Sequence, residues 1–199
     1  MEVNNEARLN IVLHKNQIPI HSSSARFRVI KAGKRFGKTK WAIFELCQAA
    51  GRSPRSVFWY IAPSYRQAKS IAWYELLWIL PPSYIKRKVE TELLIELWDG
   101  ARIELKGADN EDSLRGTGLA GVILDEAAYI KEILWTDVIR SQLVDTMGFA
   151  YFISTPKGKN WFTSFHAEAK RKNMRGDKDY ESFYFTTLDN PTLNHDELM

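Results

Sequence analysis

Two patterns of apolar residues alternate through the first part of the chain. Short continuous runs occur at residues 29–30 and 57–62, and the second, VFWYIA, is typical of a strand buried on both faces of a parallel sheet. Between them, residues 39–50 carry an apolar stripe at helical spacing, which Gly51 ends. The stripe consists of Ile43, Leu46, Cys47 and Ala50. Strand, helix and strand in this order predict a βαβ unit and therefore an α/β fold.

A second helix is predicted from Ser64, which can cap it, to Leu80. Apolar residues recur at helical intervals along it and predict a buried face made of Ile71, Tyr74, Leu77 and Trp78. Large aromatic side chains in such elements are most simply explained as core residues. This interpretation covers four tryptophans: Trp41, Trp59, Trp73 and Trp78.

The next segment changes to short strands. Residues 93–98 and 101–105 flank Asp99-Gly100, a strong hairpin signal, so an antiparallel ribbon is predicted at the edge of the sheet. A run of bases stands just before it: Lys86, Arg87 and Lys88. Two interpretations of this run are equally open, a solvated face and a contact with DNA phosphates.

The second half of the chain continues the α/β pattern. Residues 107–120 are glycine-rich and polar and predict a loop. Apolar runs predict strands at residues 121–126, 149–153 and 183–187, with a helix at residues 131–146. The basic stretch at residues 157–178 carries aromatic residues at helical spacing, which favours core packing over stacking on bases. These aromatic residues are Trp161, Phe162 and Phe165.

Composition limits the class of protein. The chain has 199 residues, of which 45% are hydrophobic and 26% charged, as is ordinary for a globular domain with a sizeable core. The net charge of +4 is mild and does not by itself indicate nucleic acid. The single cysteine, Cys47, excludes an internal disulfide, and the four histidines are too scattered to predict a zinc site. Because no secretory signal or membrane-spanning segment is evident, a reducing cytoplasm fits best.

The segment between the first strand and the first helix carries candidate phosphate chemistry. It reads AGKRFGKT at residues 32–39, in which Gly37, Lys38 and Thr39 are the residues that close a P-loop. Glycine lets backbone N–H groups approach phosphates, the lysine reaches the β and γ oxygens, and the threonine hydroxyl can ligate Mg²⁺. Ala32 replaces the first glycine of the usual pattern, so the loop is expected to turn one residue late, after Gly33. The alternative is a glycine-rich turn with surface lysines.

The strand at residues 121–126 ends in two acids, Asp125 and Glu126. Such a strand is far more specific together with a P-loop than alone. Asp125 is predicted to hold Mg²⁺ through water, and Glu126 to polarise the water that attacks the γ-phosphate. The competing interpretation is a strand followed by a helix cap at Asp125.

Polar side chains at two other places are candidate ligand contacts. Ser154 and Thr155 end a predicted strand, and polar residues at strand ends line the ligand crevice of open α/β sheets, so either could sense the γ-phosphate. A plain turn before Pro156 is equally compatible. The amide of Gln17 offers the donor and the acceptor that reading an adenine needs, although these residues alone favour a solvated loop glutamine.

Five motifs in this order resemble the large terminase subunit of tailed bacteriophages, the ATPase of the viral DNA-packaging motor. They are AGKRFGKT at residues 32–39, SLRG at 113–116, VILDEAA at 122–128, ISTPKG at 153–158 and TLDNP at 187–191. The resemblance extends from Gln17 to Pro191. It implies an α/β, three-layer P-loop NTPase fold of the additional-strand, RecA/helicase-like type, with a central, mostly parallel sheet and an antiparallel hairpin. In that fold the strand of the acid pair lies beside the strand that ends at Ser154.

The resemblance also implies roles for individual residues, with ATP and Mg²⁺ as cofactors. The residues implied to bind nucleotide are Gln17, Gly33, Lys34, Arg35, Phe36, Gly37, Lys38, Thr39 and Ser154. Thr39 and Asp125 are the implied metal ligands. The implied catalytic residues are Glu126, Arg115, Arg35 and Thr155. Among these, Arg35 is expected to read the γ-phosphate and Arg115 to act as an arginine finger in a neighbouring subunit.

Domain organisation and partners follow from the same resemblance. Residues 1–191 are expected to form the ATPase domain and residues 192–199 the start of a linker to an absent nuclease domain, so DNA cleavage is not expected. The implied partners are double-stranded DNA, the portal protein of the procapsid, the small terminase subunit and further copies of the chain in a ring, but no membrane. In isolation the domain is expected to be monomeric. The expected location is the cytoplasm of the infected bacterial host, transiently at the procapsid portal.

The leading functional hypothesis is therefore ATP hydrolysis that drives double-stranded viral DNA into a procapsid. The runner-up is a helicase-like or other DNA-remodelling P-loop ATPase, which a second RecA-like domain with further arginine motifs would favour. A third hypothesis, a nucleotide-gated scaffold without turnover, is disfavoured by Glu126, because a nucleotide sensor has little need of a carboxylate that activates water.

Overall fold

A computed structural model describes residues 9–194, so residues 1–8 of the predicted ATPase domain and residues 195–199 of the predicted linker lie outside the described residues. Within residues 9–194 the centre is an eight-stranded sheet in the order β3-β4-β5-β2-β6-β7-β1-β8. Its strands are β1 (Phe27–Ala32), β2 (Val57–Ala62), β3 (Ile85–Val89), β4 (Leu94–Leu97), β5 (Arg102–Gly107), β6 (Gly121–Asp125), β7 (Phe149–Ser154) and β8 (Tyr180–Phe185).

Helices connect most of these strands. They are α1 (Ile18–His21), α2 (Lys38–Ala50), α3 (Tyr65–Ala68), α4 (Tyr74–Ile79), α5 (Arg140–Gln142) and α6 (Trp161–Met174). Two π-helical segments also occur, one at Lys69–Trp73 between α3 and α4 and one at Leu134–Ile139 before α5. Short 3-10 turns lie at Pro82–Tyr84, Glu111–Leu114, Ala127–Tyr129 and Thr187–Asp189. No helix within residues 9–194 has the length and apolar character that crossing a bilayer requires.

The sheet is mostly parallel and is covered by helices on both faces. From β5 to β8 each neighbouring pair is parallel, whereas β4 is antiparallel to both β3 and β5. One hydrophobic core packs α2 and the helical segment from α3 to α4 against one face. A second core packs α6 and the segment that ends in α5 against the other. The predicted three-layer α/β fold is confirmed.

The strand order decides where the candidate residues meet. Strand β7 lies between β1 and β6, so the acid-pair strand is beside the strand that ends at Ser154, as the resemblance implies. Because these three strands are parallel, their carboxyl ends share one edge of the sheet. The P-loop, the acid pair and Ser154 therefore emerge side by side.

The predicted antiparallel ribbon is confirmed at the opposite end of the sheet. Gly100 has a φ of 85° in the turn between β4 and β5, and the N–H of Leu97 donates to the carbonyl of Ala101 at 2.8 Å. Strand β3 was not predicted, and it contains the basic run Lys86, Arg87 and Lys88. The three bases are exposed on an edge strand, where charged side chains oppose pairing with another chain.

The helix predicted after Ser64 is present, but of the four residues predicted to form its buried face only Leu77 packs against the core. The Ser64 hydroxyl caps it by accepting from the N–H of Gln67 at 3.2 Å. Trp78, however, is 57% exposed, and Ile71 and Tyr74 are exposed as well. The side chains that pack into the core are Ala68, Ala72, Trp73, Leu76 and Ile79. The buried residues Ala68, Ala72, Leu76 and Ile79 also recur at helical intervals, so two faces of this helix carry apolar residues and the prediction chose the face with the larger side chains.

Two later elements have different bounds from those predicted. The helix predicted at residues 131–146 ends at Gln142, because the Leu143 carbonyl accepts from Arg26 and from the N–H of Gly148, and the chain turns towards β7. The last strand ends at Phe185, where Thr186 and Asp189 form a capping box that starts a 3-10 turn. The aromatic residues of α6 pack into the second core, as predicted.

Candidate active site

The loop after β1 is held closely against the end of β8. Strand β1 continues through Ala32, and the turn follows Gly33, whose N–H donates to the Phe185 carbonyl at 3.0 Å. A Cβ atom at Gly33 would lie 2.5 Å from the backbone nitrogen of Thr187, so this close approach requires glycine. Gly37, with a φ of 91°, ends the loop, and α2 begins at Lys38. The free N–H groups of the first helical turn therefore adjoin the loop and suit an anion.

The side chain of Lys38, the first residue of α2, reaches back to this loop. Its Nζ donates to the Gly33 carbonyl at 3.0 Å, and the residue is buried. Burial lowers the pKa of Lys38, while the negative charges of Glu126 and Asp125 oppose that change. Lys34 and Arg35 are exposed on the turn, and Arg35 has a left-handed φ of 60°.

The side chain of Phe36 fixes the loop to the core of the protein. Its ring is fully buried and stacks on Phe185 with 4.5 Å between centroids. His14 contacts the same ring edge-on and its Nε2 lies 2.9 Å from the Phe36 carbonyl. Phe36 therefore supports the backbone of the loop, and the groups it offers to a phosphate are those of its backbone.

Asp125 is fixed at the end of β6 by three hydrogen-bond donors. Its Oδ2 accepts from the Thr39 hydroxyl at 3.2 Å and from the Tyr60 hydroxyl, and its Oδ1 accepts from the N–H of Glu126 at 2.7 Å. The residue is only 2% exposed. Burial raises the pKa of Asp125, and the hydrogen bond from Tyr60 opposes that rise.

Glu126 leaves the strand in a left-handed conformation, with φ 48° and ψ 45°. Its Oε2 accepts from the hydroxyl of Ser154 at 3.0 Å and from the hydroxyl and N–H of Thr155 at 3.2 and 3.4 Å. Non-glycine residues adopt this backbone region rarely, and such strain concentrates at functional sites. The structure thus brings the end of β7 into direct contact with the second acid.

Gln17 borders the other side of the P-loop. It is 4% exposed, which excludes the solvated loop glutamine considered above. Its Nε2 donates to the Gly37 carbonyl at 3.0 Å, and its Oε1 accepts from the N–H of His14 at 3.1 Å. A cleft of about 370 Å³ opens here, lined in part by Gln17, Gly37, Trp78 and Asn190. The predicted adenine contact therefore has a cavity beside it.

Comparisons with known proteins now decide the family. Residues 29–198 match the family model described as "Terminase large subunit, T4likevirus-type, N-terminal". The chain belongs to the terminase large subunit family. The terminase large subunit of Thermus virus P23-45 is 33% identical over 205 residues, which cover 88% of this chain and 42% of that protein. The chain thus spans less than half the length of this curated relative.

Solved terminase structures share the fold. The large terminase ATPase domain of Thermus phage P74-26 superposes with a TM-score of 0.79 at 30% identity, covering 91% of this chain and 84% of that domain. The large terminase of the thermophilic bacteriophage D6E, solved in complex with ATP-gamma-S, has a TM-score of 0.70 at 19% identity, covering 92% of this chain and 47% of that one. The second likeness, at such low identity, supports the fold alone.

Arg115, the implied arginine finger of this terminase chain, is exposed after the 3-10 turn at Glu111–Leu114. It lies in a separate cleft of about 160 Å³, lined also by Gly116, Asp137, Val138, Ser141 and Gln142. That lining includes neither the P-loop nor the acid pair. The structure therefore does not bring Arg115 together with the other candidate residues of its own chain.

The donor set beside the P-loop fits Mg²⁺. Within residues 9–194 no group of three or more His, Cys, Asp or Glu side chains forms a metal cluster, so a cage made by the protein alone is not available there. Magnesium is usually bound by one or two carboxylates together with substrate phosphates, and it keeps several waters. Thr39 and Asp125 offer one hydroxyl and one buried carboxylate, and no cationic side chain of the described residues pairs with Asp125.

Three residues near the site had no predicted role. Asn190, within the TLDNP motif, donates from its Nδ2 to the Arg35 carbonyl at 2.7 Å and so supports the P-loop. His14 contacts Phe36, as described above. Tyr60 was predicted only as part of a buried strand. The hydroxyl of a buried tyrosine usually has a hydrogen-bond partner, so a tyrosine in this strand was a signal that a polar partner lies nearby.

Proposed function

We propose that this chain is the ATPase domain of a viral DNA-packaging motor, which hydrolyses ATP to drive double-stranded DNA into a procapsid. The observation that carries the proposal is the contact between the P-loop and the acid pair. Thr39 in the first turn of α2 donates to Asp125, and Lys38 is close enough for both acids to act on its charge. This arrangement is what binding a triphosphate and activating a water require. The family match favours packaging over the helicase-like alternative.

In the proposed reaction the P-loop binds the triphosphate of ATP. The N–H of Gly33 stays paired with the Phe185 carbonyl, so Gly33 contributes the close turn of the loop. Backbone N–H groups of residues 34–39 and the Lys38 ammonium neutralise the phosphate oxygens, and Lys38 exchanges its present partner, the Gly33 carbonyl, for them. Gln17 and the adjoining cleft receive the adenine. Lys34, Arg35 and the backbone of Phe36 complete the phosphate side, with Arg35 reading the γ-phosphate.

Glu126 then accepts a proton from the attacking water. The water oxygen forms a bond to the γ-phosphorus while the bond from that phosphorus to the oxygen of the departing ADP breaks. Ser154 and Thr155 hold the Glu126 carboxylate and couple its position to the γ-phosphate. Mg²⁺, held by Thr39 and through water by Asp125, would neutralise charge on the phosphates.

The partners proposed for the packaging role are double-stranded DNA, the portal protein, the small terminase subunit and further copies of this chain in a ring. Lys86, Arg87 and Lys88 on β3 are candidate contacts for DNA phosphates, although Lys86 already pairs with Glu96 at 2.6 Å. Residues 1–191 would form the ATPase domain and residues 192–199 would start a linker. The proposed location is the cytoplasm of an infected host, at the procapsid portal during packaging.

ATP hydrolysis by the purified chain tests the proposal. We expect phosphate release that requires Mg²⁺, is abolished by EDTA, and increases when portal-bearing procapsids and duplex DNA are added. Procapsids without DNA and DNA without procapsids are the matched controls. Absence of ATP binding at any Mg²⁺ concentration would exclude the packaging ATPase and leave only a structural role.

Mixing two inactive variants tests the role of Arg115 in a neighbouring subunit. Arg115→Ala should bind ATP normally but lose turnover by about a thousandfold or more, as arginine fingers contribute this much. Adding Glu126→Gln protein, which keeps Arg115, should restore part of the activity on assembled procapsids. If the mixture stays as inactive as either variant, Arg115 acts within its own chain or not at all.

A further inference from the structure

Tyr60 occupies a position from which it reaches the metal side of the site. It lies in β2 opposite Ile123 of β6, and Ile123 and Asp125 point to the same face of that strand. The ring is fully buried in the core under α2. From there the Tyr60 hydroxyl donates to Oδ2 of Asp125.

The three donors to Asp125 come from three different elements. Tyr60 belongs to β2, Thr39 to the first turn of α2, and the N–H of Glu126 to the end of β6. Two of them share Oδ2, and a carboxylate oxygen has roughly two lone-pair sites. Oδ2 is therefore saturated, and the remaining acceptor capacity of the carboxylate lies on Oδ1. This leaves one defined direction for a further partner.

Tyr60 differs from Thr39 in what it can do besides this contact. The oxygen of the Thr39 hydroxyl can also ligate a metal ion. The same atom would then both donate to Asp125 and bind the metal. Tyr60 is fully buried, and its hydroxyl contacts groups of the protein interior, Asp125 among them.

We propose that Tyr60 is a positioning residue for the metal site: its hydroxyl occupies one oxygen of Asp125 and orients the other towards a water of hydrated Mg²⁺. This inference rests on the proposed function. It assigns Tyr60 no contact with nucleotide or metal. Hydrogen bonds to metal-binding carboxylates typically change metal affinity by about 10–100-fold when removed.

The test compares Tyr60→Phe with Tyr151→Phe. Tyr151 is also a buried tyrosine that lines the same core, but it lies on β7 and packs against Arg28 and Trp41. Binding of a fluorescent, non-hydrolysable ATP analogue is titrated with Mg²⁺, and binding of the same analogue is measured in EDTA. Thermal unfolding without metal reports the stability of each variant.

We expect Tyr60→Phe to raise the Mg²⁺ concentration for half-saturation by about tenfold or more. Analogue binding in EDTA should be unchanged, and Tyr151→Phe should match the wild-type chain in both titrations. In an Asp125→Asn background, Tyr60→Phe should add no further loss, because the two residues act as one unit.

Three results would overturn the inference. One is a Tyr60→Phe titration that coincides with wild type, and another is an equal shift in Tyr151→Phe, which would indicate a general effect of core hydroxyls. The third is a full additional loss in the Asp125→Asn background. If the wild-type chain itself binds no analogue with Mg²⁺, the proposed function fails together with the inference. If the wild-type chain binds the analogue and any of the three results is found, only the role of Tyr60 is wrong.

Discussion

The regions around Asp125 and Glu126 differ, although the two residues are adjacent in the chain. Asp125 is enclosed in the core, and its donors come from β2, from α2 and from the backbone that follows it. Glu126 is partly exposed, and its three donors come from two consecutive residues at the end of β7. The first carboxylate is fixed from several directions, and the second from one.

The difference matches two kinds of chemistry. All three donors to Glu126 reach Oε2, and no donor of residues 9–194 reaches Oε1, so that oxygen is available to a water. A carboxylate that takes a proton must have such a free oxygen, whereas one that orients a hydrated metal benefits from rigidity. The αL conformation of Glu126 ends the extended backbone of β6 at the second acid.

Among the substitutions that test this comparison, removal of the Lys38 ammonium should have the largest effect. The negative charges of Asp125 and Glu126 both raise the pKa of Lys38. Lys38→Ala removes this ammonium, which is also the main group that neutralises the β and γ phosphates. We expect ATP affinity to fall on the order of 100-fold and turnover to become undetectable, since charged contacts in a buried site contribute several kcal/mol. Calorimetry and a phosphate-release assay measure the two quantities.

The matched control is Lys170→Ala, which removes an exposed lysine of α6. It should leave both values unchanged. ATPase activity of Lys38→Ala equal to that of the control would remove the P-loop assignment.

Neutralising Glu126 should separate the two acids functionally. Glu126→Gln keeps the size of the side chain but cannot accept the proton, so turnover should fall by about 10²–10⁴ while ATP affinity stays unchanged. Asp125→Asn should instead raise the Mg²⁺ concentration needed for ATP binding. Equilibrium binding and single-turnover assays of both variants distinguish the two patterns, and normal turnover in Glu126→Gln would mean that another residue is the base.

The sequence was sufficient to predict the elements that carry the two acids. A continuous apolar run that ends in Asp125 and Glu126 predicts a buried parallel strand with both carboxylates at the ligand edge, and β6 has this form. The P-loop was predicted in the same way from its glycines and Lys38. Both features are local, so a short window of sequence contains them.

The partners of the acids are not local. Tyr60 and Asp125 are 65 residues apart in the chain, and Ser154 is 28 residues from Glu126. Their contacts depend on the order of strands, which apolar periodicity does not determine; only the family resemblance placed β7 beside β6. The exposure of Trp78 has a different cause, because two faces of its helix carry apolar residues at helical spacing and spacing alone does not show which face is buried.

Substitution of Ser154 should have the smallest effect on turnover, and it tests one of the three hydrogen bonds to Glu126 separately. Its buried hydroxyl donates to Glu126 and accepts from the N–H of Ala128 at 3.4 Å. Ser154→Ala removes one of three donors to Oε2, and a hydrogen bond to a charged group contributes about 1.5–3 kcal/mol. Turnover should therefore fall by about 10- to 150-fold, because about 1.4 kcal/mol corresponds to a factor of ten.

The affinity of Ser154→Ala for ATP distinguishes two explanations for its loss of turnover. If Ser154 acts by holding Glu126, affinity should stay constant, and combining Ser154→Ala with Glu126→Gln should cost no more than Glu126→Gln alone. If Ser154 instead contacts the γ-phosphate, affinity for an ATP analogue should fall while affinity for ADP does not. Ser164→Ala, which removes an exposed hydroxyl on α6, is the control for both measurements. An additive double variant with unchanged affinity would contradict both roles and would leave Thr155 as the residue that holds Glu126.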